Sequence, residues 1–578
     1  MSLKNRSTFD PMRIVEEIWT HLELPASALS SLSLPGPGGT TMMRQMPAVV
    51  PSSFKIGHLA QSTIALSALS AAVVHAFATA TATATATAGP GGGSGTRRNG
   101  SGSGAAASRS TNKHAHLAAV PRTVVALRHA LLEFQCERLY TLAGEPPEES
   151  WGPIGGLHPT GSASDGGGYV RIHDNFPHHR AGVLSLLGLD EGCVDRAAVS
   201  EKTRRWASSA ELETVAVEER GLAVYALRGY QEWDALPPAK ALGDLPVSVR
   251  RVRVDVEGGN GVNASSSSPL SSFTTRRMQQ PNPRCLSGLR VLELSRVIAA
   301  PVAGKTLAAH GADVLWITSP SLPALPDLDC EFARGKRTAQ LDINDPVEKE
   351  KLLELAQEAD VVIQGYRPGS LEEKGFGLAE VVARGNPGVV WANLSAFGPD
   401  GEWRNRRGFD SLVQTCSGLA VSEAEHYYDG NAGGGDKMPA RPLPCQALDH
   451  AAGYLLATGI CAALYHREQD RAAVTDGKQG AGESASAYVV DVSLAGVGKY
   501  LRSLGQYPGR AGFEGQDVTV LNGTIEGKEQ EERYFEVRDT DFGEMRFLRH
   551  SASVEGVEPR WERMPKPLGS DEAAWLDS

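Results

Sequence analysis

Asp449 is the residue in this sequence whose type and position are best suited to covalent chemistry. It follows Leu448 and precedes an apolar segment, residues 450–466, whose pattern predicts a helix. A carboxylate at a helix start can simply cap the unpaired backbone amides of the first turn. It can also act as a nucleophile that forms a covalent intermediate. The two roles are compatible, because helix amides would hold the carboxylate ionised; the adjacent His450 is expected to be a solvated first-turn residue.

The composition is that of a soluble globular protein. The 578 residues are 41% hydrophobic and 22% charged, which allows two or more domains with their own cores. The net charge of −11 argues against a nucleic-acid-binding protein, because no basic field would attract phosphates. The seven cysteines are scattered singly, without a CxxC pair or a Cys/His cluster. This pattern predicts reduced thiols, a cytoplasmic protein and no metal site.

No targeting or membrane-spanning segment is predicted. The N-terminal residues turn acidic early and lack the apolar core of a secretory signal. Residues 62–88 form a long uncharged run, but it ends in an Ala-Thr repeat of low hydrophobicity, which does not favour a membrane span. The last three residues are not a peroxisomal address.

Low-complexity segments divide the chain. Residues 78–110 run from an Ala-Thr repeat into a Gly/Ser tract and predict a flexible loop, residues 257–284 predict an interdomain linker, and residues 468–486 predict a surface loop. We therefore predict an N-terminal region, 1–256, and a C-terminal region, 285–578.

The C-terminal region alternates strand-like and helical patterns. Strands are predicted at 289–294, 313–318, 360–363 and 388–393, and helices at 299–309 and 346–359. This alternation predicts an α/β fold with a parallel sheet, in which ligands bind beyond the carboxyl ends of the strands.

A weak internal repeat connects the two regions. In each region an apolar helix is followed by a low-complexity loop, a strand (123–127 or 488–492) and a further helix. We interpret this order as a partial duplication, with a chance match of two Ala-rich helices as the alternative. Alignment on the helix ends places His58 at the position of Asp449, so the N-terminal copy should be catalytically silent.

Six motifs in the C-terminal region together resemble the family III coenzyme A transferases (CaiB/BaiF-like). They are LSGLRVLELSRVIAAPVAGKTLAAHGADVLWI (286–317), RGKRTAQLDINDP (334–346), ADVVIQGYRPGSLEEKGFG (359–377), NPGVVWANLSAFGPDGEW (386–403), RRGFDSLVQTCSGLA (406–420) and ALDHAAGYLLATGICAALYHRE (447–468). Residues 549–572 resemble the closing segment of the family. The resemblance implies a Rossmann-like large domain with a parallel sheet and a smaller α+β domain.

The N-terminal region resembles a different part of the same family. Residues 123–150, 166–189 and 204–242 are similar to its late helix and its small domain. The family order is large domain, small domain, closing segment, whereas here the small-domain-like piece precedes the large domain. The chain therefore resembles a partially duplicated and rearranged member, and we predict that its two regions form one working unit.

The resemblance makes Asp449 the catalytic nucleophile. DHAAG (449–453) is similar to the family's Asp-x-x-x-Gly, whose carboxylate attacks a CoA thioester to give a mixed anhydride and then an aspartyl-CoA thioester. The related α-methylacyl-CoA racemases carry a His just before the Asp of the Gly408-Phe409-Asp410 motif. Phe409 cannot exchange a proton, so an acyl-CoA:carboxylate CoA-transferase is expected. Backbone amides near the helix start would stabilise the oxyanions.

The resemblance also implies contacts with CoA. The turn at Ile298 and Ala299 would bring a phosphate or the adenine near backbone and a helix terminus. The other positions at which the family contacts CoA are Leu341, Asn344, Gly365, Tyr366 and Arg407. Ser319 and Asn344 stand where family members often place Arg and Lys, and Arg407 could supply some of the missing charge. The glycine-rich loop 152–156 is interpreted as a flap over the site.

The implied partners are acyl-CoA and carboxylic acid substrates and a second copy of the chain in a homodimer. CoA is expected as a substrate rather than a tightly bound cofactor, and no metal or membrane is implied. Two alternatives stay open. One is an acyl-CoA racemase or epimerase, which Phe409 disfavours. The other is a non-catalytic CoA-binding or scaffold protein, suggested by the permuted regions and the low-complexity inserts.

Overall fold

The computed structural model describes residues 3–36, 47–87, 117–148, 151–161, 167–253, 273–430, 438–475, 486–521 and 532–576. Its α-helices are α1 (Pro11–His21), α2 (Ile56–Thr87), α3 (Leu127–Glu133), α4 (Cys136–Leu139), α5 (Pro177–Leu187), α6 (Arg196–Thr203), α7 (Ser209–Thr214), α8 (Tyr230–Ala235), α9 (Pro237–Ala241), α10 (Phe273–Met278), α11 (Ala299–Ala309), α12 (Pro326–Phe332), α13 (Pro346–Glu358), α14 (Leu378–Ala383), α15 (Asp410–Cys416), α16 (Leu419–Tyr427), α17 (Ala447–Thr475) and α18 (Leu494–Ser503). Its strands are β1 (Leu32–Ser33), β2 (Thr123–Val125), β3 (Thr141–Leu142), β4 (Gly156–Pro159), β5 (Tyr169–Ile172), β6 (Val224–Ala226), β7 (Val247–Val252), β8 (Arg290–Leu294), β9 (Asp313–Thr318), β10 (Arg337–Gln340), β11 (Val361–Gln364), β12 (Val390–Ser395), β13 (Ala487–Ser493), β14 (Phe535–Thr540), β15 (Gly543–Leu548) and β16 (Ala552–Val554).

A seven-stranded sheet forms the centre of the C-terminal region. Its strand order is β10-β9-β8-β11-β12-β13-β7, and every pair is parallel except β13 with β7. Strands β8, β11 and β13 are buried along nearly their whole length, as expected for parallel strands covered on both faces. The predicted α/β class is confirmed, and the strands and helices predicted between 289 and 393 begin and end within two residues of those observed.

Strands from the N-terminal region complete sheets of the C-terminal region. β7 forms the antiparallel edge of the large sheet, β2 pairs with β16, and β3 pairs with β15. In these pairings, backbone N–H and C=O groups of one region form hydrogen bonds with backbone groups of the other. The two regions are therefore interlocked in one chain.

Three segments predicted as loops or linker are partly helical. Helix α2 continues through the Ala-Thr repeat to Thr87, α17 continues to Thr475, and α10 occupies 273–278 of the predicted linker. Alanine is the best helix former, which explains why a low-complexity Ala-Thr repeat can prolong a helix. The predicted loop residues 88–110 and 476–485, and the predicted linker residues 257–272, lie outside the described residues.

The smaller domain is an α+β unit in the N-terminal region. An antiparallel sheet, β4-β5-β6, packs with α5, α6 and α7 around its own apolar core. It adjoins the large sheet through the loop before α15, where the Tyr225 hydroxyl donates to the Arg407 carbonyl at 2.5 Å.

Helices α2 and α17 pack against each other in the main core, where Phe77 and Tyr465 make an edge-to-face contact with ring centroids 5.8 Å apart. By length and composition both helices could cross a membrane, and both are mostly or wholly buried inside the protein. Their apolar composition therefore has a sufficient explanation in the core.

Candidate active site

A cavity of about 410 Å³ opens at the carboxyl ends of the parallel strands β8 to β12. Its volume lies in the range of roughly 300–1,000 Å³ that is usual for small-molecule sites, and its position is where open α/β sheets bind ligands. All eight site residues predicted from the sequence line it: Ile298, Ala299, Leu341, Asn344, Gly365, Tyr366, Arg407 and Asp449.

Asp449 lies within the first turn of α17 and is not its N-cap. The helix begins at Ala447, three residues before the predicted start at residue 450. The cap comes from Asp410 on α15, whose Oδ2 accepts hydrogen bonds from the amides of Leu448 at 2.8 Å and Asp449 at 3.0 Å. The expectation that these amides hold the Asp449 carboxylate is therefore wrong, because a second carboxylate already takes them.

The carboxyl groups of Asp410 and Asp449 differ in their hydrogen bonding. Asp410 is fully enclosed and also accepts from Gln414, and burial raises its pKa to about 6. The pKa of Asp449 is raised well above its usual range, first by burial and then by the negative charges of Asp410 and Glu137. Because the amide donors stabilise charge on Asp410, Asp449 keeps its proton to the higher pH. Asp449 is 8% exposed and borders the cavity.

His450 is buried, so the expectation of a solvated side chain is wrong. Its Nε2 lies 3.0 Å from Oε2 of Glu137, which stands on α4 in the N-terminal region, and its ring stacks on Phe134 with centroids 5.3 Å apart. The N-terminal region thus supplies a charged partner to the residue next to the candidate nucleophile. The spacing of Glu137 and His450 in sequence gives no signal of this contact.

Cys136, Glu137 and His450 lie close enough together to be considered as metal ligands. The Lys305 ammonium, however, lies 3.3 Å from Cys136 Sγ, and burial raises the pKa of that thiol well above its usual range. A neutral thiol beside a fixed cation is a poor metal ligand, because the thiolate is the form that binds. These side chains are better described as a hydrogen-bonded cluster behind Asp449.

The glycine of the DHAAG motif, Gly453, lies where two helices pack closely. A Cβ at this position would lie 2.5 Å from the carbonyl oxygen of Ala299 and 2.5 Å from Cβ of Val302 on α11. Only glycine allows α17 to approach α11 this closely. The close approach brings the turn that carries Asp449 beside the start of α11.

The turn between β8 and α11 is strained at the cavity wall. Val297, a β-branched residue, has φ of 72°, in the left-handed region that such residues rarely adopt. Ile298 caps α11 without a side-chain hydrogen bond, and the first turn of a helix leaves backbone amides without intrahelical partners. Since Val297, Ile298, Ala299 and Ala300 line the cavity, the positive end of α11 opens on it.

Two cations that the sequence did not single out also line the cavity, Arg367 and Lys374. Lys374 donates to the side chain of Asn344, the residue that stands where family members often place a lysine. Both cations stand inside the motif 359–377, so the signal was present in the sequence. Ser319, which stands where family members often place Arg, also lines the cavity, and its hydroxyl lies 2.8 Å from that of Ser321.

The small domain forms the remaining wall with Phe176, His178 and His179, which the sequence did not single out. Phe409 faces this wall and stacks on the buried ring of His173 at 3.9 Å. The loop interpreted as a flap packs on the small domain, where the Ile154 amide donates to Asp174, and its described residues do not line the cavity.

The C-terminal region matches a known protein family. Residues 286–502 match the model of CoA-transferase family III, which confirms the resemblance predicted from the motifs. An acyl-CoA transferase of Gibberella moniliformis (strain M3125 / FGSC 7600) is 28% identical over 319 residues, covering 53% of this chain and 52% of that protein. A probable fatty acyl-CoA transferase of Mycobacterium tuberculosis (strain ATCC 25618 / H37Rv) is 32% identical over 209 residues, covering 33% of this chain and 50% of that protein.

A crystal structure of a hypothetical protein from Mycobacterium tuberculosis is 30% identical, with a TM-score of 0.31 and coverage of 39% of this chain and 57% of that chain. The chain spans about half the length of these curated relatives.

Proposed function

We propose that this chain, whose residues 286–502 match CoA-transferase family III, is an acyl-CoA:carboxylate CoA-transferase with Asp449 as its nucleophile. The observation that carries the proposal is the convergence of Asp449 and the seven predicted CoA contacts on one cavity at the carboxyl ends of the parallel strands. The relatives named as acyl-CoA transferases support the reaction class.

In the proposed reaction the Asp449 carboxylate attacks the donor thioester, which forms a mixed anhydride and expels CoA thiolate. The thiolate then attacks the aspartyl carbonyl, which releases the donor carboxylate and leaves an aspartyl-CoA thioester. An acceptor carboxylate attacks this thioester to give a second anhydride and thiolate. Attack of the thiolate on the acceptor carbonyl gives the new acyl-CoA and restores the Asp449 carboxylate.

The surroundings of Asp449 favour acylation of an ionised carboxylate. Burial and the negative charges of Asp410 and Glu137 raise the pKa of Asp449 by destabilising its charged form. Acylation converts this charged group into a neutral one and so relieves the repulsion. We assign oxyanion stabilisation to the first amides of α11, because Asp410 occupies those of Leu448 and Asp449.

On the CoA side, Lys374 and Arg367 provide charge for phosphates where Ser319 and Asn344 depart from the family pattern. Arg407 adds a third cation, and Gly221 makes room for it, since a Cβ there would lie 2.6 Å from its Nη1. These contacts would bind CoA as a substrate.

The racemase alternative would require two bases beside the α-carbon. Phe409 replaces one of them, and His173 behind it does not line the cavity. His179 does line the cavity, but burial and neighbouring positive charges lower its pKa to about 3, which makes its imidazole a weak base. Protein-dependent uptake of deuterium at the α-carbon of a 2-methylacyl-CoA would favour the racemase instead.

The test is exchange of label between acyl-CoAs and free carboxylates with the purified full chain. We expect label to pass from carboxylate to thioester, and hydroxylamine added during turnover to leave a hydroxamate at Asp449. Tight binding of CoA without exchange for any acyl-CoA in a broad panel would favour a non-catalytic CoA-binding protein.

A further inference from the structure

The N-terminal region places a carboxyl group against the residue that follows Asp449. Glu137, on α4, is 7% exposed, and its Oε2 lies 3.0 Å from Nε2 of the fully buried His450. Its side chain does not line the cavity, so it is not positioned to touch a substrate there. Any influence of Glu137 on the reaction must therefore act through Asp449 or His450.

The interaction with His450 favours the charged form of Glu137. Burial by itself would raise the pKa of this carboxyl, but the interactions with His450, followed by the charge of Arg138, lower it below its usual value. An ionised carboxylate only accepts hydrogen bonds, so His450 donates to it from Nε2. Nδ1 of His450 is buried without a hydrogen-bond partner in the described part of the chain. A second N–H would be unpaired there, which favours the neutral ring and leaves the charge of Glu137 in place.

Glu331, in the same core, shows the arrangement that is usual for a buried carboxylate. It contacts the Lys305 ammonium at 2.7 Å and also pairs with the Arg334 guanidinium, so its charge is balanced by full cations. Such pairing is usual because removing a charge from water is costly. The closest partner of Glu137 is instead an imidazole, and that imidazole is next to Asp449 in the chain. The negative charge of Glu137 therefore remains available to act on Asp449.

Two carboxylates act on Asp449 among the described residues. After burial, the charges of Asp410 and Glu137 raise the pKa of Asp449. The other ionisable groups around them, from α4, α17 and the loop before α17, are Cys136, Arg138, Cys445 and His450. Burial raises the pKa of both thiols, which keeps them neutral, and Lys305 of α11 is paired with Glu331. The charge on Glu137 is thus not cancelled at Asp449 by the groups near it.

We propose that Glu137 is a positioning residue for acyl transfer, which fixes the first turn of α17 through His450 and holds a negative charge beside the nucleophile. This inference rests on the proposed function, because the effect is exerted on the reaction of Asp449 with a thioester. The ring of His450 stacks on Phe134 with centroids 5.3 Å apart, so the contact is preorganised. Repulsion from Glu137 is present while Asp449 is ionised and is relieved when acylation neutralises it, which favours attack on the thioester.

Glu133 offers a matched control four residues away. It is the last residue of α3, is 1% exposed, and has Oε2 3.3 Å from Nδ1 of His550. Like Glu137, it is a buried carboxyl beside a histidine, and its pKa is lowered. Its histidine, however, belongs to the segment 549–572 and not to α17. A purely structural role of a buried Glu–His pair would apply equally to both residues.

The first measurement is the pH dependence of kcat/KM in the full-length protein, with the acyl-CoA that exchanges label fastest. Glu137→Gln removes the charge and keeps a polar side chain of the same size. We expect its acid limb to move to lower pH by about one unit, the lower end of the effect of a neighbouring like charge. The plateau of kcat should also fall, because a less basic carboxylate is a weaker nucleophile. Glu137→Asp keeps the charge and should keep the acid limb, and so should Glu133→Gln.

Infrared spectroscopy follows the ionisation of Asp449 without any substrate. The carboxylic acid C=O band that is absent from Asp449→Asn belongs to this residue, and its loss with rising pH gives the titration. We expect this titration to move to lower pH by about one unit in Glu137→Gln and to stay in place in Glu133→Gln. Glu137→Met, a second neutral side chain of similar length, should give the same shift. Thermal denaturation identifies the variants that are folded.

The outcomes separate the proposal from a structural role and from failure of the proposed function. An unmoved titration in the folded neutral variants of Glu137, or an equal shift in Glu133→Gln, would overturn the proposal. Lower turnover in Glu137→Gln with an unmoved acid limb would also overturn it, because only a structural contribution would then remain. If the unsubstituted protein turns over no acyl-CoA, the proposed function fails. The infrared titration then still decides whether Glu137 controls the ionisation of Asp449.

Discussion

The two long core helices, α2 and α17, occupy similar places in the order of elements and differ in what surrounds their first turns. Each is followed by a strand and a shorter helix, β2 and α3 in one case, β13 and α18 in the other. His58 is the third residue of α2, and Asp449 is the third residue of α17. The equivalence inferred by alignment on the helix ends thus corresponds to equivalent positions in the structure.

The surroundings of the two positions are chemically different. β13 lies in the seven-stranded sheet whose strand ends line the cavity, whereas β2 lies in a three-stranded sheet between β1 and β16. His58 is buried with an unpaired Nδ1, and burial with the nearby Lys55 lowers its pKa to about 4. A helix can pack in the core with only an apolar face, whereas an active site at its first turn also needs the ends of the parallel strands beside it. Helix α2 of the N-terminal copy has the apolar face, but it does not have the strand ends.

Replacing the proposed nucleophile should have the largest effect. Asp449→Asn should lower acyl transfer by at least about a thousandfold, because loss of a covalent nucleophile typically costs more than that. His58→Gln, the matched change in the other helix, should leave turnover within about threefold. Initial rates of label exchange measure both.

The fold of Asp449→Asn should persist, because Asp410 and not Asp449 caps α17. Near-normal turnover in Asp449→Asn would contradict the nucleophile assignment. A comparable loss in His58→Gln would show that the two helix starts are not functionally different.

Separating the two regions should have the next largest effect. Residues 285–578 expressed alone would lose the edge strand β7, the strands β3 and β2 that pair with β15 and β16, and the packing of α2 on α17. We expect exposed apolar surface, detected by dye binding, and little transfer activity. Co-expression with residues 1–256 should restore part of the activity. Full activity of the C-terminal fragment by itself would mean that the N-terminal region is an accessory.

The sequence predicted the parts of the site that are local in the chain. Strand–turn–helix patterning located β8, α11 and the turn at Ile298, and the DHAAG motif located Asp449. Contacts between distant segments were not predictable in this way. The pairing of Glu137 with His450 joins residues far apart in the chain, and no pattern in either segment specifies the other.

The start of α17 illustrates the same limit at closer range. Placing Asp449 at the N-cap followed from its residue type and the helical pattern after it. The actual cap comes from Asp410 on another helix, and α17 begins three residues earlier than predicted. Long-range capping of this kind requires the packing of α15 on α17 to be known.

Neutralising Asp410 should produce a pH effect. The proposed reaction requires ionised Asp449, whose pKa is raised in part by the Asp410 charge, so the rate should increase as pH rises through that pKa. Asp410→Asn removes the charge while an amide oxygen can still accept from Leu448 and Asp449. The acid limb of kcat/KM should therefore move to lower pH.

Glu423→Gln provides the control for that measurement. Glu423 is also a buried carboxyl with a raised pKa, but it binds the amide of Ser53 and does not line the cavity. Its substitution should leave the profile in place. An unchanged acid limb in Asp410→Asn would show that Asp410 does not set the ionisation of Asp449.

The smallest expected effect concerns the fourth residue after each compared position, Gly453 in α17 and Ser62 in α2. Gly453→Ala places a methyl group 2.5 Å from the Ala299 carbonyl oxygen and from Val302, so α17 must move away from α11. Overpacking of this kind costs about 1–3 kcal/mol of unfolding free energy. Ser62→Ala loses one hydrogen bond, to the Leu59 carbonyl at 3.2 Å, which should change stability by about 1 kcal/mol or less. Urea denaturation measures both changes.

Because the displaced turn carries Asp449, Gly453→Ala should also lower kcat, and Ser62→Ala should not. Equal stability and equal kcat in the two variants would mean that the close approach of α17 to α11 does not position the nucleophile.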